Sequence, residues 1–344
     1  LIQTAAQTFL LPAPLPLSEG GLMLNAEIAY EAYGAPVTED VIVVLHDVTG
    51  SHRALADPEP SLYKPSGWAL QLIGNGRVID PSDDYIISPN LLGSPFGSTS
   101  PAKKDPTGVP MGNDFPSAST EDMARAVAGL LRGLGVTRVR VVVGVGLGGM
   151  VALHMAAVFP HLAAGVVALG ASKALPERLR EQLTLARQVL TSDPDYKEGK
   201  YFPERGPTHT LKKLRLEMLR LHYTREALAA SHADMAAAER RLESEADAFA
   251  QQFDANSYAL LCGAYGGCDL SHLLPKITCR VLLVASSSDE IAPPTRVRDT
   301  YHALSAAGVQ THYHELQSER GHSGLLKEAT RLRAPIGEFM SGLR

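Results

Sequence analysis

Residues 138–144, Arg-Val-Arg-Val-Val-Val-Gly, are the most constraining run in the chain. Its continuous β-branched part, Val141-Val142-Val143, makes a strand buried on both faces, and such strands belong to mostly parallel sheets covered on both sides. Further short strand-like runs occur at 41–45, 85–88, 165–169, 280–285 and 311–316, with helix-patterned stretches at 120–133 and 150–159 between them. This alternation predicts an α/β protein: a mostly parallel central sheet flanked by helices. The rhythm breaks over 173–275, where 177–190, 211–221, 225–253 and 257–264 all read as helix. A helical insertion between two parallel strands sits over their C-terminal ends, where ligands bind in sheets of this kind. We therefore expect a core domain of 1–172 and 276–344 and a helical lid domain of 173–275, an organisation suited to 344 residues.

Composition narrows the function classes. The net charge of −5 comes without long runs of one sign, which disfavours nucleic-acid and membrane-surface partners. No apolar run approaches the roughly 20 residues of a membrane helix. Cys262, Cys268 and Cys279 are odd in number and contain no Cys-x-x-Cys pair, so a reducing, cytoplasmic setting is expected and no metal site is. The first residues lack the basic start of a signal peptide, although the chain does not open with Met.

The segment Val143-Gly144-Val145-Gly146-Leu147-Gly148-Gly149-Met150 lies between a strand and a helix and admits three readings. Gly144, Gly146 and Gly149 fit the G-x-G-x-x-G dinucleotide fingerprint. That fingerprint needs an acid at the end of the next strand, which here ends Ala168-Leu169-Gly170-Ala171-Ser172. The second reading is a nucleophile elbow, G-x-S-x-G, with Gly146 in the serine's place and Gly144 and Gly148 as its flanking glycines. The third is a glycine-rich turn with a packing role only.

An elbow is followed in chain order by an acid and then a histidine. Asp289 follows the strand at 280–285, and His322 follows the strand at 311–316. Both fall at strand C-terminal ends, where Asp289 would orient His322 as a base. Alone, either residue reads as a solvated loop residue; in this order they favour the elbow. His209, His222 and His232 lie in the insertion and read as surface residues.

From here the chain resembles the homoserine O-acetyltransferase family of α/β-hydrolase-fold enzymes. The resemblance runs from Phe9-Leu10-Leu11-Pro12 through Ile28-Ala29-Tyr30-Glu31-Ala32-Tyr33-Gly34, Leu45-His46-Asp47-Val48-Thr49-Gly50 and Asn90-Leu91-Leu92-Gly93. It continues through Gly97-Ser98-Thr99, Asn113-Asp114-Phe115-Pro116, Gly148-Gly149-Met150 and Phe253-Asp254-Ala255-Asn256-Ser257-Tyr258. The resemblance implies a ping-pong transfer in which a serine takes an acetyl group from acetyl-CoA, or another acyl donor, and a small hydroxyl acceptor removes it. No bound cofactor is implied. It further implies oxyanion donors at Val48 and Leu147, a carboxylate-binding Arg187, a lid residue at Tyr223, and a homodimer formed through the lid.

Three departures qualify that reading. Gly146 replaces the nucleophile, Ser323 stands where the family has an aspartate for the acceptor's ammonium group, and Asp47 stands where it has a small residue. Deleting a triad nucleophile lowers kcat by roughly 10⁶. Asp47 would oppose charge developing at the oxyanion hole unless protonated or turned away. The expected function is thus a homoserine O-acetyltransferase-like acyltransferase, inactive or altered. The alternatives are a non-covalent hydrolase, lyase or cyclase run by Asp289 and His322, with a water in the space left at Gly146, and a non-catalytic small-ligand-binding protein. On this reading, Gly146→Ser restores the covalent step.

Overall fold

The computed structural model describes residues 5–55, 67–202 and 205–343. The central sheet has eight strands: β1 (Gln7–Leu10), β4 (Glu27–Tyr33), β6 (Ile86–Pro89), β5 (Val41–Leu45), β7 (Val139–Val145), β8 (Ala163–Leu169), β9 (Arg280–Ser286) and β10 (Thr311–Leu316), in that spatial order. From β6 to β10 all pairings are parallel, while β1 and β4 form an antiparallel edge. A separate small ribbon pairs β2 (Leu15–Pro16) with β3 (Leu22–Met23). The chain is thus an α/β protein of the expected type. The six runs all form strands, but β10 is an edge strand in which only Leu316 is buried, so burial on both faces holds for five of them; the β1–β4 edge is the part the sequence reading did not assign.

β7 shows why its run behaves as a central strand. Val139, Val141, Val142, Val143 and Val145 are each at most 2% exposed, and each such burial stabilises by roughly 2 kcal/mol. Arg140 in the same strand is also buried, with its guanidinium on the Asp84 carboxylate. Helix α1 (Thr120–Gly133) opens with a capping box between Ser119 and Asp122. Helix α2 (Leu147–Val158) starts directly after Gly146 and is buried along almost its whole length against the sheet.

Between β8 and β9 run α3 (Glu177–Thr191), α4 (Thr208–His222), α5 (Arg225–Ser231), α6 (Met235–Gln252) and α7 (Ala255–Gly267). The expected single helix over 225–253 is two. The chain leaves the helix at His232, and Asp234 restarts it by accepting the Ala237 amide at 2.6 Å. The Phe253–Tyr258 motif has a structural reason. Asp254 caps α7 through the Ser257 amide and also accepts the Tyr201 hydroxyl, while Asn256 accepts the Tyr196 hydroxyl. Leu179, Leu183, Phe249 and Tyr258 of the insertion share one hydrophobic cluster with Val43, Leu147 and Ala285 of the sheet layers. α8 (Pro294–Ala306), α9 (Gly324–Lys327) and α10 (Arg333–Ser341) complete the chain. No helix among the described residues is long and apolar enough to cross a membrane, and all three cysteines are free and buried.

Candidate active site

Adjacent strands β5 and β7 end side by side, with Leu45 opposite Gly144, at the point where strand order reverses. Such a switch point opens a crevice beyond the strand ends. Asp47 enters it from the β5 loop. The buried His46 fixes that loop: its Nδ1–H donates to the Asp47 carbonyl at 2.7 Å and its Nε2 accepts the Leu91 amide at 3.0 Å. Burial holds the His46 ring neutral, with its pKa lowered to about 4.

The β7–α2 turn is a tight elbow. A Cβ on Gly144 would lie 2.2 Å from the Gly148 carbonyl oxygen, and one on Gly148 would lie 2.3 Å from that of Leu45. Gly146 has φ +52° and ψ −117°, a conformation side chains rarely adopt. Here the obstruction differs in kind. A Cβ at 146 would lie 2.3 Å from Asp47 Oδ1 and 2.5 Å from its Cγ. The Asp47 carboxylate therefore occupies the space into which a serine side chain would project. One expectation changes as a result: serine at 146 does not fit unless Asp47 moves.

Opposite Asp47 stand the acid and the histidine. Asp289 is held by the Ile291 and Ala292 amides at 2.8 and 3.0 Å on Oδ1, and its Oδ2 accepts His322 Nδ1–H at 2.7 Å. Three consecutive serines clamp the two loops together. Ser286 donates to the Gly321 carbonyl, Ser287 and Ser288 donate to that of Ser318, and the Gly321 amide donates to Ser288. His322 Nε2 then faces Asp47 Oδ2 at 3.8 Å. Burial pulls the His322 pKa down, but the carboxylates of Asp289 and Asp47 outweigh it and push it up to about 10. Burial likewise opposes ionisation of Asp47, but His322, His222 and the Leu147 amide lower its pKa to about 2.

The other expected site residues fall in different places. The Leu147 amide donates to Asp47 Oδ1 at 2.9 Å, so this expected oxyanion donor is taken. Val48 lines a small enclosed cavity next to Asp47. Arg187 lies outside that cavity, beside Gly263 of α7, and lines two more open clefts. Tyr223 turns to the surface, where its hydroxyl accepts from Lys327 at 3.0 Å. Ser323 donates to the Arg320 carbonyl at 2.7 Å.

Two residues at the site went unrecognised in the sequence. His222, read as a surface residue, lines the cavity and meets His322 edge-on at 5.4 Å between ring centroids. Burial first, then His322 and Arg215, lower its pKa to about 4. Arg215 is buried on the cavity wall, 3.6 Å from Glu245 and stacked over Phe249. Leu211, Arg215, Leu219 and His222 recur at helical spacing along one face of α4, a face that buries both leucines, and that was the available signal.

A mostly parallel sheet, a strand–elbow–helix turn and an acid–histidine pair on later strand ends define an α/β-hydrolase, and the family described as alpha/beta hydrolase fold matches residues 80–329. The chain is 32% identical over 342 residues to a homoserine O-acetyltransferase of Rhodopseudomonas palustris, covering 91% of this chain and 84% of that one. It is 31% identical over 361 residues to a serine O-succinyltransferase of Litchfieldella anticariensis, covering 96% and 97%. The crystal structure of homoserine O-acetyltransferase from Bacillus anthracis superimposes with a TM-score of 0.86 at 22% identity, covering 99% and 98%. The chain belongs to the homoserine O-acetyltransferase family.

Proposed function

We propose that this chain carries out acyl-group chemistry on a small ester or thioester by direct attack of an oxygen nucleophile, with no acyl-enzyme. The observation that carries this is the carboxylate of Asp47, 2.3 Å from where a Cβ at residue 146 would stand. The covalent route through position 146 is closed by the same residue that puts a new proton acceptor there. Asp47 Oδ2 and His322 Nε2, 3.8 Å apart, flank a point at which water or an acceptor hydroxyl can be oriented toward an acyl carbon. Asp289 has the positioning role.

The relatives named acyltransferases support the acyl donor class, acetyl-CoA or a similar thioester, and a hydroxyl compound or water as acceptor. The helices of 173–275 act as the lid of this reading. Dimerisation through them and a cytoplasmic location belong to the same proposal. Arg187 and Ser323 are weaker candidates for acceptor recognition, because neither lines the cavity at Asp47.

The test is bisubstrate kinetics with acetyl-CoA and a panel of small hydroxyl acceptors, paired with mass spectrometry of the quenched enzyme. Intersecting double-reciprocal lines and no mass added to the protein are expected. Parallel lines with an acetylated protein overturn direct attack.

A further inference from the structure

We infer that Asp47, His222 and His322 form a binding site for a divalent cation of the zinc class. Among the described residues these three bring one ligand atom each to within 4.8 Å of one another. They come from three separate parts of the chain: the loop after β5, the last residue of α4, and the loop after β10.

Each ligand is already oriented by its other end. His322 gives its Nδ1–H to Asp289, which aims Nε2 inward; that buried Nε2 makes no hydrogen bond, faces Asp47 Oδ2 at 3.8 Å, and would give up its proton as an ion binds. His222 gives its Nδ1–H to the Met218 carbonyl at 2.7 Å, so its Nε2 is the free ligand atom. Asp47 is held through Oδ1 by the Leu147 amide, leaving Oδ2. A carboxylate behind one imidazole and a carbonyl behind the other is the outer arrangement that histidine ligands of metals use to fix tautomer and ring angle.

Bonds of about 2.0–2.1 Å in a tetrahedral site set ligand atoms about 3.3 Å apart, so closure needs shifts of about an ångström. An Asp47–His322 ion pair accounts for two of the three groups, but it gives no reason for a second imidazole aimed at the same point. Arg215 on the same face of α4 pairs with Glu245 at 3.6 Å.

Two nitrogens and one carboxylate leave a fourth position, as catalytic zinc sites do. That position faces the cavity lined by Tyr258, Cys262 and Tyr265. A water bound there loses a proton more readily than free water. The resulting hydroxide adds to the acyl carbon, the bond to the leaving oxygen or sulfur breaks, and the displaced group departs with the proton. Water and ester or thioester thus become acid and alcohol or thiol. The ion also supplies a partner for the developing oxyanion, which the Leu147 amide does not. This step rests on the direct-attack reading; binding of the ion does not.

The experiment titrates chelator-treated protein with Zn²⁺ by calorimetry and with Co²⁺ by visible absorption, beside His222→Ala, His222→Gln and Asp289→Asn. One ion per chain is expected, with a Co²⁺ spectrum of low coordination number. Both His222 variants should lose the spectrum while keeping the melting temperature of the metal-free protein. Asp289→Asn should weaken binding by roughly 10–100-fold. Absence of binding in the parent protein, or binding unchanged in both His222 variants, overturns the site. Metal-free protein that transfers acyl groups at full rate overturns the metal-assisted step and leaves direct attack standing. An acetylated protein with ion bound as expected overturns direct attack and leaves the site standing.

Discussion

The two sides of the site are built from different kinds of contact. On one side, Asp289 and His322 are joined at 2.7 Å and clamped by the hydroxyls of Ser286, Ser287 and Ser288, the arrangement an acid–histidine pair needs to orient a ring. On the other, position 146 has no side chain, and the Asp47 carboxylate stands where one would project while capping the Leu147 amide. The comparison teaches that residues 47 and 146 are fitted to one another. Glycine at 146 admits the carboxylate, and the carboxylate takes over the amide at the head of α2. Position 146 is therefore not a hole, and the acid–histidine side faces a carboxylate across it.

The largest expected effect concerns what both sides share, the close approach of α2 to β5. The Cβ of Gly148→Ala would meet the backbone oxygens of Leu45 and His46 at 2.3 and 2.6 Å, and backbone cannot swing aside as a side chain can. We expect a loss of about 3 kcal/mol in unfolding free energy, read by urea denaturation. A variant within about 0.5 kcal/mol of the parent would show that the elbow is looser than its geometry says.

A smaller effect isolates the changed side. Gly146→Ser alone should cost about 1–3 kcal/mol, since it overpacks against Asp47, and it should not be acylated by p-nitrophenyl acetate. In the Asp47→Ala background the same substitution has space, and the introduced hydroxyl would face His322 Nε2. The double variant should therefore form an acyl-enzyme with an initial burst. The cycle should show a coupling of about 0.5–3 kcal/mol. Acylation of Gly146→Ser with Asp47 present, or zero coupling between the two positions, would separate the two changes and break the pairing.

These contacts mark where the sequence stops being informative. The five buried runs, the helices of 173–275 and the flanking glycines of the elbow are local patterns, set by burial on two faces, helical periodicity and backbone clearance. Order along the chain was enough to nominate Asp289 and His322. The fit of Asp47 into the space at Gly146 joins positions about 100 residues apart, as the Leu147–Asp47 hydrogen bond records. A one-dimensional reading saw two separate departures there. His222 was missed for a similar reason: a histidine ending a helix carries no mark of its fate until α4 brings it beside Asp47 and His322. The antiparallel edge went unassigned because β1 is short and largely exposed, and the apolar run in β4 is interrupted by Glu31, which is nonetheless buried.

The smallest expected effect sharpens the assignment of the insertion's contribution to the site. Tyr223 and His222 are neighbours in sequence at the end of α4, but the backbone turns from helix to extended at Tyr223. Their side chains consequently part. His222 lines the cavity beside Asp47, whereas the Tyr223 ring lies under the Lys327 ammonium at 4.4 Å and its hydroxyl bonds that same group. An exposed contact of this kind contributes roughly 0.5–1 kcal/mol, and removing the hydroxyl leaves the ring in place. Tyr223→Phe should thus change stability by less than about 0.5 kcal/mol and leave kcat and KM for acyl transfer within about twofold, a difference of about 0.4 kcal/mol. Steady-state kinetics beside a thermal melt reads both. A rise in KM for the acceptor alone, with the melting temperature unchanged, would mean that the extended segment rearranges on substrate binding and brings Tyr223 into the site, the role that the family resemblance implies for it.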